Sequence, residues 1–486
     1  MRVRPSDNLF WAGFAAFAGG LIAFSPLWIS ALLAASLGLL FSANLSPIIA
    51  LQAALTLAPL RALLSRVGHW PFPLDIGQVA FVGLFLVWLA HVIRNHKVDL
   101  PARWKAAIAP LAIFVFFLLL HGFFAGITFA WLQEWLKWLS ILILVLISLS
   151  LCERYGGSAV LSAVLLAAMV NALLGLMQFT GLVDSAAHFK IDGQFTRAYG
   201  SYEQPNPFAG LMGMTAPLAV MATWGFACRA RRSAHQNDPP QFRFLRRLPT
   251  LLSFICSVCL IMALLLSWSR GAWLGAICGT VALVTAIPRK RWASGLIFVT
   301  SLLIAVAIWF SGALPTALDA RLRSAVHELI EIQDVRGVDF DANNYALVER
   351  VAHWQAAIRM ATDRPYLGYG LGSYEEQYAE YRLANWPDSL GHAHNYYLNM
   401  LAETGLVGLF AYLLLSITIL IWSWRARAHP DPLARSLAVG VFASWLYFCI
   451  HSLSDHLYVN HSFLILGAIW GLLLHIRCQQ QSQRVA

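Results

Sequence analysis

The stretch Gly391-His-Ala-His-Asn-Tyr-Tyr-Leu-Asn-Met-Leu-Ala-Glu-Thr-Gly-Leu-Val-Gly408 decides how this chain is read. A long polar segment precedes it, and a strongly apolar one follows it. Two histidines, an asparagine and two tyrosines therefore stand where a loop meets a membrane surface. A helix starting near His394 would carry Gly405 and Gly408 about three and four turns below it, on or near its face. The expected task of those glycines is close helix packing.

Working outward, 486 residues that are 59% hydrophobic and only 12% charged do not make an ordinary globular protein. The mean hydropathy of +0.64 comes from repeated apolar runs. Spans are expected near 9–24, 28–44, 47–64, 75–94, 106–125, 132–151, 158–180 and 207–228. More follow near 249–268, 271–287, 293–311, 396–423, 433–450 and 459–476. The fold class is thus an all-α polytopic membrane protein of about 12–14 transmembrane helices. The first run, flanked by Arg2 and Arg4 and followed by no small-residue cleavage site, reads as a retained span. The seven cysteines lie in or beside the apolar runs. Cys256 and Cys259 have metal-like spacing but read as packing residues, so neither a disulfide framework nor a zinc site follows. A net charge of +10 raises the question of nucleic acid. Surplus Arg and Lys that orient spans account for it, and no nucleic-acid partner is expected.

The charges give an independent topology. With the N-terminus in the cytoplasm, that side receives Arg94, Lys97, Arg103, Lys105 and Arg154. It also receives the cluster from Arg229 to Arg247, Arg289-Lys290-Arg291, and Arg425 with Arg427. The short opposite connections near 126–131 and 312–318 carry no Lys or Arg, which is the positive-inside pattern. Arg61 and Arg66 fit least well. The reading places both termini in the cytoplasm, and puts 181–206, 268–271, 312–395 and 451–458 together outside. It divides the chain into an N-terminal bundle (1–311), a large extracytoplasmic loop (312–395) and C-terminal spans (396–486).

Within that loop, Leu347, Val351, Trp354, Ile358 and Ala361 recur at helical spacing, with His353 and Arg359 largely on other sides. Asp363-Arg364-Pro365 ends the helix, because the residue before proline resists helical geometry. Gly368-Tyr-Gly-Leu-Gly372 reads as a turn, since no strand precedes it to make a nucleotide-binding loop. Ser373 and Glu376 have capping-box spacing, and Tyr374, Tyr378 and Tyr381 line the helix they open. Packing is the favoured role for those tyrosines over sugar stacking.

Four places carry candidate chemistry. Arg197-Ala-Tyr199-Gly-Ser-Tyr-Glu-Gln-Pro-Asn206 joins a lone arginine to a tight turn at a span entry, more than an interfacial anchor needs. Ser267-Trp-Ser-Arg270-Gly-Ala-Trp273 holds Arg270 in a very short link near the membrane boundary. A guanidinium there suits phosphate oxygens, against the simpler reading of a snorkelling anchor. His392-Ala-His394-Asn395 offers a base, because histidine accepts a proton near neutral pH. On a helix, histidines at i and i+2 diverge, although an extended turn would let both serve a metal; Asp388 is the only carboxylate close in sequence, and no metal and no cofactor is expected. His451, Asp455 and His456 form the last cluster, as groups that orient the base or hold the acceptor, or as a solvated loop. Together these residues suggest arginines that neutralise a diphosphate leaving group and a histidine that deprotonates an incoming hydroxyl.

From about residue 130 onward the chain resembles the O-antigen ligase and O-antigen polymerase superfamily of bacterial envelope glycosyltransferases. The resemblance is carried by His394, Asn395, Gly405 and Gly408; by Ser269-Arg270-Gly271; by Arg197, Gly200, Pro205 and Asn206; and by Arg350, Trp354 and Asp363 to Gly370. It implies an undecaprenyl-diphosphate-linked glycan donor, metal-independent transfer with inversion, and a large outer loop between late spans. It implies catalytic roles for His394, Arg197 and Arg270. Substrate contacts are expected from His392, Asn395, Tyr199, Asn206, Arg350, Arg364 and Asp455, with the third loop arginine open among Arg350, Arg359, Arg364 and Arg382. The acceptor hydroxyl would belong to lipid A core, another glycan or a protein, the last as in an oligosaccharyltransferase. No extra domain for a protein acceptor is seen. The expected location is the inner (cytoplasmic) membrane, in contact with its lipid, with an extracytoplasmic site. Transport of inorganic carbon or another solute is the competing reading. It requires mid-span ionisable residues and repeat symmetry, of which only Lys137 comes near.

Overall fold

The computed structural model describes residues 45–61, 63, 74–183, 189–191, 195–202, 204–232, 240–312 and 345–483, with isolated positions between 319 and 336. Its helices are α1 (Pro47–Leu57), extended by a 3-10 turn to Leu60, α2 (Ile76–Asn95), α3 (Trp104–Ala125), α4 (Phe129–Tyr155) and α5 (Gly157–Phe179). A two-residue antiparallel pair, β1 (Lys190–Ile191) and β2 (Phe195–Thr196), precedes α6 (Pro205–Arg232). Then come α7 (Pro240–Leu266), α8 (Arg270–Ala286), α9 (Arg291–Ser311), α10 (Tyr345–Asp363) and α11 (Tyr374–Tyr381). The chain ends on α12 (Tyr396–Ala426), α13 (Pro432–His451) and α14 (Ser462–Gln483).

Ten of these helices are long and apolar enough to cross a membrane, and α1 and α8 are shorter apolar helices. Among the described residues these twelve correspond one for one to the expected spans from 47–64 to 459–476. The expected spans 9–24 and 28–44 lie outside the described residues. The protein is an all-α polytopic membrane protein.

Local chemistry sets the helix starts. Asp75 and Gln78 form a reciprocal capping box on α2, Thr128 accepts from Trp131 N on α4, and Asp431 accepts from Ala434 N ahead of Pro432 on α13. The core runs along α14, whose apolar window is 89% buried, whereas that of α9 is 6% buried and faces outward. Gly471 lets α14 approach Ser148 of α4, and Gly213 of α6 lies against the ring of Tyr447 on α13. The Tyr447 hydroxyl donates to Ala209 O at 2.7 Å, so α6 and α13 are joined by a polar bond as well as by packing.

Gly405 of the opening stretch does something other than expected. The helix α12 begins at Tyr396, beyond His394, and breaks at Gly405, whose φ of 64° and ψ of −168° suit glycine alone. A Cβ there would run into Tyr366 O. The break frees backbone groups that must find partners in a lipid setting. Ala402 O and Glu403 O accept from Tyr369 N (3.1 Å) and Gly370 N (2.8 Å), while Leu406 N and Val407 N donate to Pro365 O (2.8 Å) and Tyr366 O (3.2 Å). The segment from Pro365 to Gly370, which runs into the glycine turn, is thus the plug of a discontinuous helix. Gly368, at φ 66°, abuts the Glu403 backbone and leaves no room for a side chain.

Two other local expectations are corrected. Ser373 does not cap α11; its hydroxyl donates to Gly370 O at 2.6 Å. The buried face of α10 is broader than the spacing suggested, because it includes Val348, Ala352 and His353 while Ile358 is exposed. That face meets Tyr374 and Tyr378, both buried, and Ala402 of α12. Tyr374 and Tyr378 pack, while the half-buried Tyr381 donates to Asp363 at 2.9 Å.

Candidate functional site

His394 stands one residue ahead of the Asn395 cap of α12, with a left-handed φ of 50° that few non-glycine residues adopt. Local hydrogen bonds hold it there. Asn395 Oδ1 accepts from Tyr397 N (3.0 Å) and Leu398 N (3.1 Å), Asn399 Oδ1 from Ala393 N (3.0 Å), and His392 Nδ1 from His394 N (3.1 Å). Trp354 Nε1 of α10 donates to His394 O at 3.4 Å.

The residue is 9% exposed, and neither of its buried ring nitrogens has a hydrogen-bond partner among the described residues. Nδ1 lies 3.7 Å from Asp455 Oδ1, close enough for charge attraction and too long for a hydrogen bond. Orphaned buried nitrogens are costly and ask for an explanation. The other histidines supply the surroundings. His392 lies edge-on at 4.4 Å between centroids and His353 at 5.5 Å, and His456 stacks on His392 at 5.2 Å.

Electrostatics separates these groups. Burial, then the electrostatic influence of the neighbouring His394, pushes His392 and His353 down to about 3. Burial, followed by His392 and Lys137, lowers His456 well below the histidine range. Burial alone would raise the Asp455 carboxyl. His394 outweighs it, with His392 and Arg350 in support, and holds the carboxyl well below the carboxylate range. At neutral pH one carboxylate faces His394, among three uncharged rings.

The polar loops join in a chain. Tyr396 N donates to Ser452 O at 2.9 Å, tying the histidine loop to the turn that bears Asp455. Gly271 abuts Ser454, so the start of α8, with Arg270, rests on the same turn. Arg197 Nε donates to Ser267 O at 2.8 Å, and Ala198 N to Leu266 O at 2.9 Å, which adds the remaining loop. Gln178 fixes that loop by accepting from Tyr199 N (3.2 Å) and Gly200 N (2.7 Å).

The expected residues therefore divide. His394, His392 and Asp455 are gathered in one cluster, and the Arg350 charge reaches Asp455 and His451. Asn206 Oδ1 accepts from Arg197 Nη2 at 3.4 Å. Tyr199 is buried against Phe189, and the Asn395 side chain is engaged as a helix cap. Arg364 is exposed and lies over the Tyr369 ring at 4.3 Å. Arg359 reaches Tyr381 O (3.4 Å) and Arg382 reaches Pro387 O (3.0 Å). Two residues were missed from sequence. His353 was assigned to the wrong face, although it follows Arg350 by three positions. Glu403, buried beside the helix break, accepts from Tyr374 N at 3.4 Å; a carboxylate inside an apolar span was its signal.

His392, His394 and Asp455 also offer ligand atoms within 4.8 Å of one another, the number of protein ligands a catalytic zinc site uses. The two histidines are not on a helix, so they do not diverge as the helical reading required.

Fold and site define a polytopic α-helical membrane protein with a buried histidine–carboxylate pair where four polar segments join. Residues 255–413, about a third of the chain, match a family model described as O-Antigen ligase, which bears out the resemblance to the O-antigen ligase and polymerase superfamily. The matched stretch contains Arg270, Arg350 and His394. The chain is also similar to an uncharacterized protein of Haemophilus influenzae, 26% identical over 177 residues, or 35% of this chain. That similarity spans 42% of the relative's length.

Proposed function

We propose that the protein is a glycosyltransferase of the O-antigen ligase or polymerase type. It moves a glycan from an undecaprenyl-diphosphate donor to an acceptor hydroxyl outside the cytoplasmic membrane. The observation that carries this reading is His394, a buried imidazole with unpartnered nitrogens beside an ionised carboxylate and a chain of arginine-bearing loops.

The steps follow from the groups. A His394 nitrogen takes the acceptor hydroxyl proton as the oxygen attacks the anomeric carbon. The bond from that carbon to the diphosphate oxygen breaks, and the diphosphate leaves with the electron pair. Arg197, Arg270 and Arg350 offset its charge, and Asp455 stabilises the imidazolium. Attack opposite the leaving group inverts the anomeric centre. The arginines take the place a metal ion would otherwise fill.

The test is the envelope glycan profile of a deletion strain complemented with the parent, His394→Ala or Arg270→Ala. Polymer attachment is expected from the parent alone. An unchanged profile in the deletion strain sinks the transferase reading, and rescue by His394→Ala removes the histidine from it. Single repeats on lipid core indicate a polymerase, unattached polymer a ligase, and altered glycoproteins a protein acceptor. The His392–His394–Asp455 donor set favours a second, metal-assisted reading. Transfer by purified protein that survives EDTA excludes it, and loss restored by zinc establishes it.

A further inference from the structure

Three helices that begin or end beside the histidine cluster, α6, α8 and α13, carry a second feature at their far ends. There the bundle encloses a cavity of about 220 Å³, lined by Arg231 and Arg232 from α6, Arg289 after α8, and Arg435 from α13. Sixteen residues of α13 separate Arg435 from His451, so the cavity lies about 24 Å from the site at the helical rise of 1.5 Å per residue. It belongs to different chemistry.

None of the described residues lining it is a carboxylate. The nearby Asp431 is already engaged, pairing with Arg229 at 3.2 Å and capping α13 through Ala434 N. Arg435 Nη2 donates to Ile287 O at 2.6 Å, which fixes one guanidinium at the wall. Four like charges around one cavity repel each other, and an anion that takes several guanidinium forks relieves that repulsion. Arginines that merely orient spans have no need to converge, yet these come from three separate parts of the sequence. Apart from Ser436, the remaining wall is apolar or weakly polar. Val439 closes it inside, and Trp224, 60% exposed, faces the surroundings of the bundle. A charged floor with an apolar, outward-facing side fits an amphiphile better than a free ion.

We propose that this cavity binds the phosphate head group of an anionic lipid, with an acyl chain along Trp224. The proposal stands apart from the transfer reading. The full-length protein, purified in a neutral detergent, is titrated with phosphatidylglycerol while thermal unfolding is followed. The parent is compared with Arg231→Gln/Arg232→Gln/Arg289→Gln, three exposed positions whose loss leaves the core intact. Lys97→Gln/Arg103→Gln/Lys105→Gln removes equal charge elsewhere. Phosphatidylglycerol is expected to stabilise the parent. Its apparent affinity falls at least about tenfold in the cavity variant and stays within about twofold in the control. Phosphatidylcholine and inorganic phosphate are expected to give no shift. Equal weakening in both variants, or an equal shift from inorganic phosphate alone, overturns the proposal. Lipid counting by native mass spectrometry provides the second readout, and a bound phosphatidylglycerol retained by the cavity variant overturns it too.

Discussion

At His394 the backbone adopts a left-handed conformation, and both ring nitrogens are buried without a hydrogen bond among the described residues, two costs borne at one residue. Asp455, ionised and 3.7 Å away, is the group that can hold the imidazolium formed when the histidine takes a proton. Asp455→Asn keeps the shape and removes the charge. It is expected to slow transfer about 10²-fold in protein that remains folded, measured on purified protein with a lipid-linked donor. An unchanged rate removes Asp455 from the mechanism. Acid stability follows from the other rings. His392 and His353 are held at about 3 in the fold, against about 6.5 in an unfolded chain. The unfolded chain therefore binds more protons between those values. Their contribution is full above about pH 6.5 and is lost as pH falls toward 3. The Asp455 contribution, from a depressed carboxyl, is lost only below the ordinary carboxylate range. His392→Gln should flatten the fall in unfolding midpoint between pH 7 and pH 5, and an unchanged slope refutes that assignment. His394, Arg197 and Arg270 were legible as candidates because polar residues at span ends stand out against apolar sequence. His353 was not, because its helix is buried over a wider arc than a single apolar stripe marks.

The element that positions this residue is the broken helix α12. Sequence marked the Gly368–Gly372 turn and the entry to α12 correctly, and read Gly405 as a packing glycine. The reason lies in distance along the chain: the groups that close the break come from Pro365 to Gly370, and no periodicity within α12 reports a partner so far upstream. Glu403 did carry a local signal, a carboxylate inside an apolar span, but its acceptor role depends on α11 arriving beside it. Gly405→Ala forces a side chain into a backbone region open essentially to glycine and against Tyr366 O. A loss of roughly 1–3 kcal/mol is expected, with a matching drop in transfer because the first half of α12 carries the histidine loop. Gly83→Ala in α2 is the control. Open space surrounds that position, and alanine in a helix is neutral or stabilising. If both variants unfold at the parental midpoint, the break is not a strained, glycine-dependent joint.

On the scale of the molecule, the apolar runs carried most of the architecture, since a bilayer demands long apolar helices and each run announces one. What they do not announce is depth in the bundle. The window of α14 is 89% buried and that of α9 only 6%, although both read simply as spans, because lipid and protein interior are similarly apolar. Orientation rests on charge alone. Arg231, Arg232, Arg289 and Arg435 share one end of α6, α8 and α13, and His451 with Arg270 marks the other. The positive-inside tendency assigns the arginine-rich end to the cytoplasm and the histidine cluster to the outside. Reporter fusions test this. Alkaline phosphatase joined after Gly312 should be active, and after Arg427 inactive, while a fluorescent protein at the same two points should give the reverse. The two junctions flank α10, α11 and α12, so the loop that covers His394 has the sidedness of the first. The opposite pattern places the histidine in the cytoplasm, away from the outer acceptor hydroxyl on which the proposed transfer depends, and the transferase reading then fails even with its geometry intact.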